Sequence, residues 1–154
     1  MGKIGLTYRE YGKLIDQAMV ELFKQDWDIT GVYGLPRGGL PLAVHISHHL
    51  NIPLILNLMK FNKDHPGKQM LVVDDIVDTG KTFERLVEFT DVQKIPFKSL
   101  TLYHKPDSSF RPDIIVNETT SWIVFPWEPY EELPSEYHQD VYSEIFKGDM
   151  NANG

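Results

Sequence analysis

The chain has 154 residues, 42% of them apolar, which suits one ordinary domain with a single core. It holds no cysteine, so disulfides and thiolate chemistry are excluded, and its longest apolar run, Ile52 to Leu58, is far short of the roughly 20 residues that span a bilayer. The net charge of -7 gathers at the C-terminal end, where seven acidic residues and one basic residue follow from Glu128 onward; the nearly neutral remainder has no general pull toward nucleic acid.

In chain order, Thr7 with Glu10 three residues later fits a capping box, and Tyr11, Leu14, Ile15, Ala18, Met19, Leu22 and Phe23 recur at helical spacing. A strand over Ile29 to Gly34 leads through Leu35-Pro36-Arg37-Gly38-Gly39 into a helix over Leu40 to Leu50. The runs Ile52 to Leu58 and Met70 to Asp74 have the continuous apolar character of strands buried on both faces. The second opens through a polar loop into a helix near Thr82 to Thr90. Phe97 to Tyr103, Ile114 to Val116 and Trp122 to Phe125 read as further strands. Pro134 to Phe146 reads as a terminal helix with proline at its start, and Gly148 to Gly154 as a disordered tail. No positive, apolar, small-residue pattern marks the start for secretion, so a soluble, cytoplasmic protein without membrane or nucleic-acid partners is expected.

Strands alternating with helices imply an α/β fold: one domain over residues 1–147, with a mostly parallel central sheet flanked by helices. Ligands of such sheets bind at the strand carboxyl ends, and both polar loops fall there. The segment Leu71-Val72-Val73-Asp74-Asp75-Ile76-Val77-Asp78-Thr79-Gly80-Lys81-Thr82 places three carboxylates, a glycine and two threonines between a strand and a helix. Asp74 and Asp75 could accept hydrogen bonds from vicinal sugar hydroxyls or hold a hard cation such as magnesium. Asp78 to Thr82 offer consecutive backbone N–H groups at a helix N-terminus, a cradle for a phosphate dianion, with Gly80 permitting close approach. The plainer alternative is a strand-to-helix turn with capping acids.

The whole string resembles the phosphoribosyl-diphosphate motif of the type I phosphoribosyltransferases, and the likeness runs from Leu6 to Glu128, toward the xanthine-guanine and hypoxanthine-guanine branch. That resemblance implies a homo-oligomeric, magnesium-dependent enzyme that takes phosphoribosyl diphosphate and a 6-oxopurine base. Asp74, Asp75, Asp78, Thr79, Gly80, Lys81 and Thr82 would hold the phosphoribosyl group, with Asp75 toward the metal. Asp78 would accept the proton from N7 of the base. Pro36, Arg37, Gly38 and Gly39 resemble the pyrophosphate loop, which carries a cis peptide, here Pro36-Arg37. In Leu102-Tyr103-His104-Lys105-Pro106 the resemblance gives Lys105 the purine 6-oxo group. In Trp122-Ile123-Val124-Phe125-Pro126-Trp127-Glu128 it gives Trp122 the stacking role and backbone groups of Ile123 and Glu128 the 2-position, leaving Trp127 to the core.

One departure stands out. The family's long mobile loop before the sugar-binding strand shrinks here to about Asn62 to Gln69, which leaves open a phosphoribosyl-diphosphate or nucleotide sensor with weak catalysis, or a transferase for another base. Retention of Asp78, Lys105 and Trp122 together favours the oxopurine enzyme. His45, His48 and His49 read as an ordinary surface helix without an acidic third ligand.

Overall fold

The computed structural model describes residues 2–129; the expected terminal helix at 134–146 and the tail at 148–154 lie outside them. Its elements run β1 (Lys3–Gly5), α1 (Tyr8–Phe23), β2 (Val32–Gly34), α2 (Leu40–Leu50), α3 (Leu58–Asp64), β3 (Met70–Val77), α4 (Lys81–Gln93), β4 (Phe97–His104), β5 (Ile114–Glu118) and β6 (Trp122–Val124). The chain divides into two compact units, residues 12–120 and a smaller one drawing on both ends.

The larger unit is built on a four-stranded sheet ordered β2-β3-β4-β5, every pair parallel. Met70, Leu71, Val72 and Val73 are all fully buried, and because successive side chains alternate between faces, β3 is covered on both sides. Met70 and Val72 join Phe61 of α3 and Phe83 and Leu86 of α4 in one cluster, while α2 packs against β2 and β3. Burying each such side chain contributes roughly 1.5–3 kcal/mol. The parallel order puts the carboxyl ends of β2, β3 and β4 on one edge, from which the loops 35–39, 78–80 and 105–113 emerge.

In the smaller unit β1 pairs parallel with β6, Ile4 opposite Ile123, and Leu6 N–H donates to the Val124 carbonyl at 2.9 Å. Tyr11 stands edge-on to Phe125 and Trp127, whose rings stack at 5.2 Å. The capping box forms as the spacing predicts: Glu10 N–H donates to Thr7 Oγ1 at 3.1 Å, and Thr7 N–H to Glu10 Oε1 at 3.0 Å.

The stretch Ile52 to Leu58 is not a strand buried on both faces. Leu54 makes one isolated bridge to Val32, Leu56 is 78% exposed, and Asn57 caps α3 by accepting from Lys60 N–H at 3.0 Å. Pro53 has no N–H for a ladder, and a short continuous apolar run does not separate strand from other buried chain. The three-residue β1 and the seven-residue α3 are too short for periodicity to reveal. Elsewhere among the described residues the expected elements stand within a few residues of their observed ends.

Candidate functional site

The loop after β2 lies directly against β3. Leu35 N–H donates to the Val73 carbonyl at 2.9 Å, Gly39 N–H closes back on the Leu35 carbonyl at 2.9 Å, and Leu40 N–H on that of Arg37 at 3.1 Å. The Pro36-Arg37 peptide is cis, as the resemblance implies. A Cβ on Gly38 would fall onto the carboxylate of Asp75. Only glycine therefore lets the Arg37-Gly38 backbone rest beside that acid, and the contact brings the two polar loops to one place on the sheet edge.

At the end of β3 two carboxyl groups sit together. Asp74 Oδ1 accepts from Asp75 N–H at 2.9 Å, and Asp75 Oδ1 from Ile76 N–H at 2.8 Å. Burial, reinforced by the charge of Asp75 and a hydrogen bond between the two carboxyl groups, pushes Asp74 up to about 9. Burial raises Asp75 as well. A buried acid pair in this state wants a proton, a cation or hydroxyl donors. Such hard oxygens suit magnesium, which takes one or two carboxylates and completes its shell with water and substrate oxygen. Among the described residues no group of three or more acids and histidines could cage an ion.

This pair sets a pH dependence for the ligand-free protein. Asp74 is raised in the folded state to about 9, above an unfolded value of about 3.9. Its contribution to stability is complete below about 4 and is lost as pH rises toward 9, by up to about 1.4 kcal/mol per pH unit. Melting curves with a chelator present should fall in midpoint between acid and alkaline buffers, and Asp74→Asn should flatten that fall while abolishing activity.

Beyond the pair, Asp78 and Thr79 are exposed and Gly80, at φ +90°, caps α4. Lys81 and Thr82, also exposed, form the first turn of that helix, and Lys81 N–H reaches Thr79 Oγ1 at 3.4 Å. A Cβ on Gly80 would stand 2.6 Å from Ser109 Oγ and 2.7 Å from Phe110 N. Ser109 donates to the Thr79 carbonyl through both its N–H and its Oγ, each at 3.0 Å. Sequence reading missed this partner: Asp107-Ser108-Ser109 is recognisable as a turn, but nothing in it says which loop it supports.

Lys105 follows β4 directly. Its N–H extends the ladder to the Val77 carbonyl at 2.9 Å and its Nζ reaches the Thr120 carbonyl at 3.4 Å. In the smaller unit the indole of Trp122 is 57% exposed while Ile123 is buried. Glu128 N–H donates to the Phe125 carbonyl at 2.9 Å and its Oε1 accepts from Phe125 N–H at 3.3 Å. The Glu128 N–H is thus engaged within its own turn. Trp127 packs on Tyr11 and Phe125, in keeping with a core role. On α2 the rings of His45 and His49 stack at 4.0 Å, with His49 Nδ1 on the His45 carbonyl. Burial, then the neighbouring His49, lowers the pKa of His45.

Loops gathered on the carboxyl edge of a parallel sheet define an α/β protein of the kind whose ligands bind at that edge. The phosphoribosyl transferase domain family matches residues 60–132. A xanthine-guanine phosphoribosyltransferase of Chromohalobacter salexigens is 32% identical over 118 residues, covering 66% of this chain and 70% of the relative. The crystal structure of a purine phosphoribosyltransferase from Pyrococcus horikoshii superposes with a TM-score of 0.71 at 30% identity, over 88% of this chain and 99% of that one. A Helicobacter pylori xanthine-guanine-hypoxanthine phosphoribosyltransferase shares the fold at 22% identity, with a TM-score of 0.71 over 82% of this chain and 93% of its own. The chain belongs to the phosphoribosyltransferase family.

Proposed function

We propose that the protein transfers phosphoribose from phosphoribosyl diphosphate to a 6-oxopurine, guanine, xanthine or hypoxanthine, releasing pyrophosphate. The observation that carries this reading is the contact of Gly38 with the Asp75 carboxylate, which sets a basic glycine loop beside an acid pair suited to a sugar diol. The purine substrates named for the relatives support the choice of base.

In this reading the amides from Asp78 to Thr82 hold the 5′-phosphate, far from the breaking bond, and convert binding energy into position. Asp74 and Asp75 receive the ribose hydroxyls. As the C1–O bond to pyrophosphate breaks, its electron pair leaves with the pyrophosphate, which lies on Arg37 and the backbone of Pro36, Gly38 and Gly39. A ring nitrogen of the base forms the new bond to C1, and its N7 proton passes to Asp78, whose charge also offsets the cationic character of the sugar. Magnesium, when bound beside Asp75, supplies further neutralisation of the pyrophosphate. The ammonium of Lys105 donates to the 6-oxo group, Trp122 stacks on the ring, and backbone groups of Ile123 and Glu128 meet the 2-position. Lys105 cannot pair with an amino donor, which disfavours adenine.

One functional domain over residues 1–147, a tail at 148–154, assembly as a homo-oligomer and a cytoplasmic location complete the proposal. No helix among the described residues is long and apolar enough to cross a membrane. A second reading, a phosphoribosyl-diphosphate or nucleotide sensor with weak turnover, is favoured by one observation: α3 ends at Asp64 and β3 begins at Met70, so little chain is left to cover a reactive sugar. Incubation with phosphoribosyl diphosphate, magnesium and each of guanine, xanthine, hypoxanthine and adenine decides between them. Nucleotide is expected with at least one oxopurine and none with adenine; tight binding without product for any base would establish the sensor.

A further inference from the structure

His104 closes β4 at 2% exposure, in register with Val77 of β3 and Glu118 of β5. Its Nδ1 lies 2.8 Å from Glu118 Oε2 and its Nε2 lies 2.9 Å from the Phe110 carbonyl. The other Glu118 oxygen accepts from Arg111 Nη1 at 3.1 Å. A carboxylate and an amide carbonyl only accept, whereas a neutral imidazole has one donor, so both contacts are hydrogen bonds only when the ring carries two protons. A proton on Nε2 ties the end of β4 to the Phe110 carbonyl, while Glu118 holds the other side of the ring.

The second bond fixes a loop. Phe110, whose carbonyl takes the Nε2 proton, stacks its ring on Phe83 of α4 at 4.5 Å and 2°. Its neighbour Ser109 places two donors on the Thr79 carbonyl. In a trans peptide the C=O and the following N–H point in opposite directions. Anchoring the Thr79 oxygen on Ser109 therefore turns the Gly80 N–H away from Ser109, toward the open side of the 78–82 turn. The same loop presses on Gly80 so closely that no Cβ fits.

We propose that His104, held between Glu118 and the Phe110 carbonyl, is a positioning residue that sets the Ser108 to Phe110 loop and, through Ser109, aims the Gly80 N–H at the 5′-phosphate. This inference rests on the assignment of Asp78 to Thr82 to that phosphate. It also separates two adjacent residues: Lys105 keeps its own N–H on Val77 at 2.9 Å, although its carbonyl accepts from Ser108 N–H at 3.0 Å at the start of that loop, so loss of His104 weakens the sugar phosphate more than the base.

The test measures phosphoribosyl-diphosphate and guanine KM values, with calorimetric binding of phosphoribosyl diphosphate, for the wild type, His104→Phe and Ser109→Ala. Each bond lost is worth roughly 1 kcal/mol, so Ser109→Ala should raise the phosphoribosyl-diphosphate Kd and KM about fivefold and His104→Phe at least about tenfold, with guanine KM changed less than about twofold. Ser109 is exposed, so its variant decides the matter if His104→Phe does not fold. Nitrogen NMR of the wild type should show His104 Nε2 carrying a proton, as a donor to the Phe110 carbonyl must. A wild type that binds while Ser109→Ala binds equally well, or a His104 ring with no proton on Nε2, overturns the proposal. A wild type that does not bind phosphoribosyl diphosphate at all overturns the phosphate-loop assignment and this inference with it.

Discussion

Asp78→Asn is expected to lower turnover a hundredfold to ten-thousandfold, the usual span for removing a general base, while phosphoribosyl-diphosphate affinity changes only a few-fold. The asymmetry follows from position. Asp78 is exposed at the carboxyl end of β3, and the asparagine amide keeps the size and polarity of the side chain, so the turn up to Gly80 is not disturbed. What disappears is a proton acceptor and a negative charge beside the sugar, both of which act mainly in the transition state. Steady-state kinetics with calorimetry read the two quantities separately. Equal losses in turnover and binding would mean that Asp78 holds the ligand rather than the proton.

Gly38→Ala is the second large effect, and its cause is steric. The new methyl group would coincide with the carboxylate of Asp75, so either the 35–39 loop lifts from β3 or Asp75 swings away. Either way the pyrophosphate loop and the sugar acids lose their relative placement. A misplacement of this kind costs about a hundredfold in kcat/KM. The fold should survive, because the strain is relieved at the sheet edge and not among the buried side chains of β3. A double-mutant cycle with Asp75→Ala locates the cause: once the carboxylate is gone, adding Gly38→Ala should cost much less than it does alone. Simple additivity of the two losses would show that the methyl group acts elsewhere.

Much of the fold was legible because its physics is local. The capping box at Thr7 and Glu10, the helical period of α1, and the apolar run entering β3 each state their structure in a few adjacent residues. So does the glycine-rich loop before α2, whose start at Leu40 and end at Leu50 were readable. Where the chain is short or apolar without period the reading failed, as at Ile52 to Leu58, which ends in the cap of α3 at Asn57. The site was legible as two separate strings. Their meeting at Gly38 and Asp75 depends on the parallel register of β2 with β3, which a single sequence does not print. Still less visible was the loop from Ser108 to Phe110, joined to Thr79 across 30 residues, because its donors are ordinary serine and backbone groups whose partner only the tertiary fold selects.

The central claim is that one turn, from Asp78 to Thr82, receives the phosphate monoester of a nucleotide while the neighbouring acids face its ribose. A crystal structure with guanosine monophosphate is the direct measurement. The phosphate should lie within hydrogen-bond distance of the backbone amides from Thr79 to Thr82, with the ribose hydroxyls on Asp74 and Asp75. A nucleotide bound with its phosphate elsewhere, or that turn filled by the protein's own side chains, would contradict the account.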